Sequence, residues 1–403
     1  MCSIGDDIYD HEEEKTIPVT KSLKLFDLCN KCRSEKPRLV LRTKDAYCNN
    51  CFLSSTVHKF KAYLGKSHLI QKNDRVLVWH QIGHPSTSLL HFLRSGLDLS
   101  SSKKLQFVPI ILFIDDQYHL NLNERLNLLQ KAKQEILSFG FQFNTVSFAD
   151  YATNPKNLNK LFFIDIPQIS ELDKQKLEDV INKKTSKTHA NDIKVLIRRQ
   201  LLTDAAKYYQ CKFVFTPEIS VEVASSLLSN MSLGRGPHVA IDAGFCDDRD
   251  VDVKIIRPLR QFDMKELAFY NKINNLEPLS VRQKSLNPYS SVQDLMKKFV
   301  TDLQINYPAT VNTILRIGDK LSVDRDCERF CSLCKGQLSV INDQLTSHQS
   351  TTFSHLVSTE KHDYTISRQD RYQNIFNVFD ERVVDKENLC YACSNISDNV
   401  KFN

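Results

Sequence analysis

The sequence predicts an α/β protein with a central parallel sheet and a cysteine-rich module at each end. Short apolar runs alternate with amphipathic helical segments through the middle of the chain, which is typical of a parallel sheet with helices on both faces. Eight of the twelve cysteines form four C-x-x-C pairs outside that region. The 41% hydrophobic and 25% charged residues are close to the globular average, which excludes a collagen-like, coiled-coil or wholly disordered chain.

The elements of the sheet region follow from apolar runs and helical spacing. Five strands are predicted, at Arg75–Trp79, Pro109–Asp115, Phe141–Phe148, Lys212–Phe215 and Val253–Ile256. The helices between and after them are predicted at Ser86–Arg94, Asn123–Phe139, Asp192–Tyr209, Val221–Ser232 and Met264–Leu276, with two more within Val292–Leu321. Asp263 and Glu266 have the spacing of a capping box at the start of Met264–Leu276.

Composition divides the chain into five predicted regions. They are an acidic disordered tail (1–22), a basic zinc module (23–62), the α/β domain (63–280), a helical segment (281–325) and a C-terminal zinc module (326–403) with a flexible insertion at about 340–370. The start of the chain, Met1–Glu14, carries six acidic residues and no apolar core. We therefore expect no targeting signal, no membrane span and a cytoplasmic location.

The first two cysteine pairs have the spacing of a zinc site. Cys29 and Cys32 are separated by 15 residues from Cys48 and Cys51, and such paired thiolates can bind one tetrahedral Zn²⁺. In a reducing compartment these pairs indicate metal ligands rather than disulfides. Two redox dithiols, the alternative, would need a βαβ context that is missing here.

The last two pairs predict a second structural zinc site. Its ligands are Cys331, Cys334, Cys390 and Cys393, although 55 residues separate the pairs. The cost of closing a loop rises slowly with its length, so the gap does not prevent a shared metal. The possible substitute ligands are Cys327, His348, His355 and His362. Besides Cys327, the cysteines outside the pairs are Cys2, Cys211 and Cys246, which are expected to be plain thiols.

A basic segment surrounds the first zinc site. Lys21–Lys66 contains eleven Lys and Arg against three acidic residues, a local charge of +8. Such a segment either binds a polyanion or forms a solvated lysine-rich surface. The basic residues within or beside the zinc site are Lys31, Arg33, Lys36, Arg38, Arg42 and Lys44.

The loop after the first strand is the natural phosphate site of a parallel α/β sheet. Here Gln81–Thr87 lies over the S-G-G-K-D-S-T motif of ATP pyrophosphatases, and only Gly83, Ser86 and Thr87 match it. The motif lysine is replaced by His84, and Pro85 removes a backbone N–H donor. With only 10 glycines in 403 residues as well, this loop is expected to bind ATP poorly.

Several motifs together resemble the family of cytoplasmic tRNA 2-thiolation proteins, subunit 2. They are the four cysteine pairs, the degenerate loop, Ile197–Leu202, Asn230–Gly236 and Ile256–Leu259 followed by Met264–Leu267. The resemblance implies an adenine-nucleotide alpha-hydrolase-like (PP-loop) domain and a heterodimer with a catalytic sister subunit. It also implies that the sister adenylates the wobble uridine of tRNA-Lys, tRNA-Glu and tRNA-Gln, with sulfur from a thiocarboxylated ubiquitin-related modifier that also serves protein urmylation.

The resemblance also indicates which half of the heterodimer this chain forms. The C-x-x-C cysteines of an active sister correspond here to Asn191 and Lys194, and Leu276–Lys320 contains no third cysteine. The acidic pair of the active enzymes is missing from Thr216–Val221. We therefore predict a non-catalytic, tRNA-binding subunit. The alternative is a self-sufficient ATP-dependent tRNA nucleotidyl or sulfur transferase; a ubiquitin-ligase module is disfavoured because its eight ligands would interleave closely.

Other charged residues have two interpretations each. Arg198 and Arg199 either contact RNA phosphate or form surface salt bridges. Asp115 and Asp116 are either a metal pair or, as we favour, solvated carboxylates at a strand end. Arg235, between two glycines that end a helix, is a weaker candidate for contact with a partner or RNA. Trp79 and Phe92 are expected in the core.

Overall fold

The computed structural model describes residues 27–41, 45–98, 104–167, 170, 172–181, 185–281, 287–321, 329–338, 347–359, 367, 369–370, 373 and 388–397. The chain divides into two compact units, Met1–Lys61 and Ala62–Asn403. Several residues of the sequence predictions lie outside the described residues. They are the acidic tail 1–22 with Cys2, and also Arg42, Lys44, Cys327 and His362.

The first unit contains a small antiparallel hairpin followed by a helix. Strands β1 (Leu39–Val40) and β2 (Ala46–Tyr47) pair with each other, and helix α1 spans Asn49–Lys66. Leu39 and Phe52 are buried. A unit this short has room for only a small apolar core.

The second unit is built on a six-stranded sheet. Its strands are β3 (Arg75–His80), β4 (Val108–Asp115), β5 (Phe143–Ser147), β6 (Phe213–Phe215), β7 (Cys246–Asp247) and β8 (Lys254–Ile256). Their order is β5-β4-β3-β6-β8-β7, and all pairs are parallel except β7 with β8. The five predicted strands are confirmed. The short edge strand β7 was missed because two residues with one apolar side chain give no alternating pattern.

Helices connect the strands and continue after the sheet. They are α2 (His84–Leu97), α3 (Leu122–Ser138), α4 (Phe148–Thr153), α5 (Asp173–Val180), α6 (Lys187–Tyr208), α7 (Ser220–Ser232), α8 (Val239–Ala243), α9 (Met264–Ile273), α10 (Val292–Asn306), α11 (Pro308–Lys320), α12 (Ser347–Thr359) and α13 (Tyr391–Ser397). The predicted cap before α9 is confirmed, because the Asp263 carboxylate accepts from the Glu266 N–H at 2.7 Å. Ser186 caps α6 in the same way, so this helix begins five residues earlier than predicted.

The order of the strands places a switch point at the centre of the sheet. From β3 the chain builds outward through β4 and β5, and then returns to add β6 on the other side of β3. Ligands of such sheets bind at the carboxyl ends of the strands beside the switch point. The loop between β3 and α2 lies at this position. Trp79 and Phe92 are buried, as expected, and no described helix is long and apolar enough to cross a membrane.

Candidate functional site

The N-terminal centre consists of Cys29, Cys32, Cys48 and Cys51. Their sulfur atoms all lie within 4.8 Å of one another, and the Cys32 and Cys48 Sγ atoms are 3.9 Å apart. Cys29 and Cys32 lie on a tight turn in which the Arg33 N–H donates to the Cys29 carbonyl at 2.9 Å and Arg33 has φ 56°. Cys48 and Cys51 lie at the start of α1, where the helix dipole favours thiolates, although burial and the neighbouring sulfur atoms raise the pKa of both thiols.

The C-terminal centre consists of Cys331, Cys334, Cys390 and Cys393, and it has the same two parts. The Lys335 N–H donates to the Cys331 carbonyl at 3.0 Å, and Lys335 also has φ 56°. The second pair lies at the start of α13, where the Ser394 N–H donates to the Cys390 carbonyl at 2.8 Å. The four sulfur atoms again lie within 4.8 Å of one another.

Both centres have the geometry that one tetrahedral metal ion requires. Zn–S bonds of about 2.3 Å place neighbouring sulfur atoms about 3.8 Å apart, and the measured separations are 3.9 Å for Cys32–Cys48 and 3.7 Å for Cys334–Cys390. A 4Fe–4S cluster would hold each thiolate on a different iron and a 2Fe–2S cluster would divide the four between two irons, so sulfur atoms on different irons would lie further apart. The described residues contain no other such group of ligands, and His355 does not join the C-terminal centre.

The surroundings of the two centres differ. In the N-terminal centre Cys32 is exposed, and hydrogen bonds from Ser34 lower the pKa of the Cys32 thiol to about 6. All four C-terminal cysteines are buried. They lie beside a core turn that carries Arg235 and His238. Burial lowers the pKa of Arg235, but its ion pair with Asp192 and the nearby Cys393 and Cys390 raise it above its usual range.

Two glycines allow the C-terminal centre to pack tightly on that turn. A Cβ atom at Gly336 would lie 2.5 Å from the His238 ring, and one at Gly234 would overlap the Tyr391 ring. The His238 Nε2 is 2.7 Å from the Gln337 carbonyl oxygen. Its Nδ1 is buried and has no hydrogen-bond partner among the residues that the structure describes. The C-terminal centre is thus part of the core of the second unit.

The polar groups of the degenerate loop form hydrogen bonds within the chain. The Ser86 hydroxyl accepts from the Gln81 N–H at 2.9 Å, and Ser88 donates to the Asn271 side chain at 2.7 Å. Asn271, which is fully buried on α9, also donates to the His84 carbonyl at 3.1 Å. Gly83, with φ 122°, allows the chain to turn into α2. Sequence reasoning missed Asn271, because no motif connects it with the loop.

A buried carboxylate completes this arrangement. Thr87 donates to the Glu135 Oε1 at 2.5 Å, and His80 Nε2 lies 3.1 Å from the Glu135 Oε2. The side chains of His80 and Glu135 are only 1% and 8% exposed. Sequence reasoning missed Glu135 too, since it lies 48 residues from Thr87 on another helix.

The residues at the positions of the missing thiolates contact other side chains of the protein. The Asn191 side chain donates to the Ser291 hydroxyl at 3.2 Å, and the Lys194 ammonium lies 5.6 Å from the centroid of the Tyr118 ring. Thr216, in the segment that lacks the acidic pair, donates to Glu218 at 2.9 Å.

The expectation of a solvated carboxylate was wrong for Asp115. This residue is 1% exposed and pairs with Arg125 at 2.7 Å, while Arg125 also pairs with Asp173 at 2.8 Å. Burial raises the pKa of Asp115, although Arg125 opposes the shift. A carboxylate at this strand end needs a partner because helices cover the sheet. Asp116 pairs with Arg198 at 3.1 Å.

The predicted arginine contacts divide into two groups. Arg198 pairs with the partly exposed Asp116 at 3.1 Å, as the surface salt-bridge interpretation expects. Arg199 also forms an ion pair, at 3.1 Å, but its partner Asp247 is buried; contact of either arginine with RNA stays a prediction. Arg235 is 5% exposed and binds Asp192 through both terminal guanidinium nitrogens, so it is not available to a partner. The N-terminal residues Lys31, Arg33, Lys36 and Arg38 are exposed.

Comparison with known proteins supports the resemblance that the motifs indicated. Residues 291–395 match the family model described as cytoplasmic tRNA 2-thiolation protein 2. The protein of that name from Aedes aegypti is 33% identical over 81% of this chain and 74% of its own length. The one from Anopheles gambiae is 30% identical over 99% of this chain and 100% of its own.

A solved structure supports the fold. The U34-tRNA thiolase NcsA from Methanococcus maripaludis, solved with its 4Fe–4S cluster, aligns with a TM-score of 0.53 at 18% identity. The match covers 78% of this chain and 99% of the archaeal one. The predicted α/β fold of the PP-loop type is therefore confirmed. Because the Anopheles gambiae protein is 30% identical over 99% of this chain, the chain belongs to the family of cytoplasmic tRNA 2-thiolation protein 2.

Proposed function

We propose that this chain is the non-catalytic, tRNA-binding subunit of a heterodimeric cytoplasmic complex that 2-thiolates the wobble uridine of tRNA-Lys, tRNA-Glu and tRNA-Gln. The family supports a role in tRNA 2-thiolation. In this proposal a sister subunit performs the chemistry, and sulfur comes from a thiocarboxylated ubiquitin-related modifier of the urmylation pathway.

One observation carries the non-catalytic assignment. The Ser86, Thr87 and Ser88 hydroxyls at the degenerate loop are already hydrogen-bonded to the chain itself, and a carboxylate is among their partners. Nucleotide phosphates would have to displace these contacts and would be repelled by Glu135. Asn191 and Lys194 provide no thiolate for sulfur transfer. Both features disfavour the alternative of a self-sufficient nucleotidyl or sulfur transferase.

The N-terminal centre supports the proposed contact with tRNA. Lys31, Arg33 and Arg38 are exposed on or beside the turn that carries two of the metal ligands, and Arg42 follows them in sequence. A turn held by a metal loses less conformational entropy on binding than a flexible tail does. Contacts from such side chains go mostly to phosphate, so the choice of tRNA would depend on shape or on the sister subunit.

Zinc is the metal that we propose for both centres. Four thiolates in tetrahedral arrangement are the usual ligand set of structural zinc. Metal analysis of the purified chain should give two zinc ions per molecule. A value below one would contradict the assignment.

Reconstitution tests the function. We expect this chain to co-purify with the catalytic sister subunit and to increase the affinity of the complex for tRNA. The isolated chain should show no ATP-dependent adenylation of tRNA. Adenylation by the isolated chain would instead establish the self-sufficient transferase.

A further inference from the structure

The carboxylate of Glu135 reaches the first turn of α2, where a parallel α/β sheet would normally bind phosphate. Its two oxygens contact Thr87 at 2.5 Å and His80 at 3.1 Å. The first turn of α2 contains no acidic residue of its own. The amino end of a helix favours a negative charge. Glu135, which comes from α3, supplies that charge.

Burial makes this contact energetically important. Thr87 and His80 are each 1% exposed, and the Glu135 side chain is 8% exposed. Hydrogen bonds to an ionised group in such surroundings are about twice as strong as neutral ones. A carboxylate in this position also repels any second anion.

We propose that Glu135 is a built-in anion that takes the place of a nucleotide phosphate at the β3–α2 loop. It lets the loop fold without a ligand and rejects nucleotide phosphates. This inference rests on the proposed non-catalytic function and adds a physical reason for it. It identifies a specificity-determining residue that no sequence motif marks.

The proposal predicts what remains when the carboxylate is removed. The Glu135→Ala variant would leave the Thr87 hydroxyl and the amino end of α2 without an anion. His80 would lose its carboxylate as well, and its Nδ1 has no hydrogen-bond partner within the described part of the chain. These groups together would favour another anion at the same place. Inorganic pyrophosphate is therefore the probe of choice.

The experiment compares the melting temperature of the full, metal-loaded chain with and without millimolar pyrophosphate or ATP. Neither compound should move the wild-type Tm. Glu135→Ala should melt roughly 5 °C lower, because a buried charge-assisted hydrogen bond is removed, and pyrophosphate should recover part of this decrease. Adding Thr87→Val should abolish the recovery. Glu124→Ala, an exposed change on the same helix, should behave as wild type in its response to pyrophosphate.

Two results would overturn the proposal, and they are distinguishable. A wild-type Tm that rises with ATP would contradict both the built-in anion and the non-catalytic role. A folded Glu135→Ala variant that ignores pyrophosphate would contradict the built-in anion alone. If Glu135→Ala does not fold, Glu135→Ser gives the same test, since it also removes the carboxylate and leaves its position open.

Discussion

The N-terminal and C-terminal centres have the same local construction and different surroundings. Each combines a tight turn, closed by a residue with φ 56°, with the start of a helix. The N-terminal centre has an exposed ligand, Cys32, and exposed basic neighbours. The C-terminal centre is buried, and the nearby Arg235 is already paired with Asp192.

With zinc in both centres, as proposed, one type of metal site would serve two purposes. In the N-terminal centre the metal would order a short unit beside exposed basic side chains. In the C-terminal centre it would join distant segments, next to an arginine that is already in an internal ion pair. The number of residues between the two cysteine pairs of a centre matters less, since 55 residues separate the pairs of the C-terminal centre.

The largest difference should appear when a ligand is removed from each centre. Cys393→Ser should eliminate the C-terminal metal and cost more than about 5 kcal/mol, comparable to the whole stability of a domain. The cooperative melting of the second unit should then disappear. Cys32→Ser should leave that melting transition close to wild type. Calorimetry together with metal analysis measures both, and equal destabilisation in the two variants would remove the distinction.

A smaller effect is expected from the buried ion pair beside the C-terminal centre. Arg235→Ala leaves the Asp192 carboxylate buried without its partner, which typically costs about 3–5 kcal/mol. Lys187→Ala, which breaks an exposed pair with Asp294, is the matched control and should cost less than about 1 kcal/mol. Urea denaturation gives both values. Similar midpoints for the two variants would show that Arg235 contributes no more than a surface charge.

The N-terminal centre should release its metal roughly ten times faster than the C-terminal centre, which corresponds to about 1.4 kcal/mol in activation free energy. A chelator or a thiol reagent reaches the exposed Cys32 directly, whereas the buried C-terminal thiolates require local opening. Release followed with a colorimetric zinc indicator should be biphasic. The fast phase should be missing in Cys32→Ser. A single phase in the wild-type chain would contradict the expected difference in metal release between the two centres.

The smallest effect on stability is expected from the basic surface of the first unit. Changing Lys31, Arg33, Arg38 and Arg42 to Ala should alter the free energy of unfolding by less than about 0.5 kcal/mol. The slope of log affinity for tRNA against log salt concentration should fall by roughly 0.7–0.9 for each phosphate that is no longer neutralised. Zinc content serves as the control for folding. If the slope is unchanged with zinc still bound, the RNA site lies elsewhere, and Arg198 and Arg199 would be tested next.

The sequence by itself determined the local features of this protein. The paired cysteines, the five parallel strands and the departures from the phosphate motif at His84 and Pro85 were all predictable, because each depends on residues a few positions apart. The same holds for the cap at Asp263, whose partner lies three residues away. The family motifs were predictable for the same reason, since each is a short run of neighbouring residues.

Only the tertiary structure decided how buried polar groups are paired. Glu135 with Thr87, Asn271 with Ser88, and Arg235 with Asp192 are each separated by more than 40 residues. The burial of Asp115 could not be predicted either, although its partner Arg125 is only 10 residues away, since the two residues lie on different elements whose packing the sequence does not show. A charge taken out of water must find a partner in space, and sequence distance places no limit on where that partner lies.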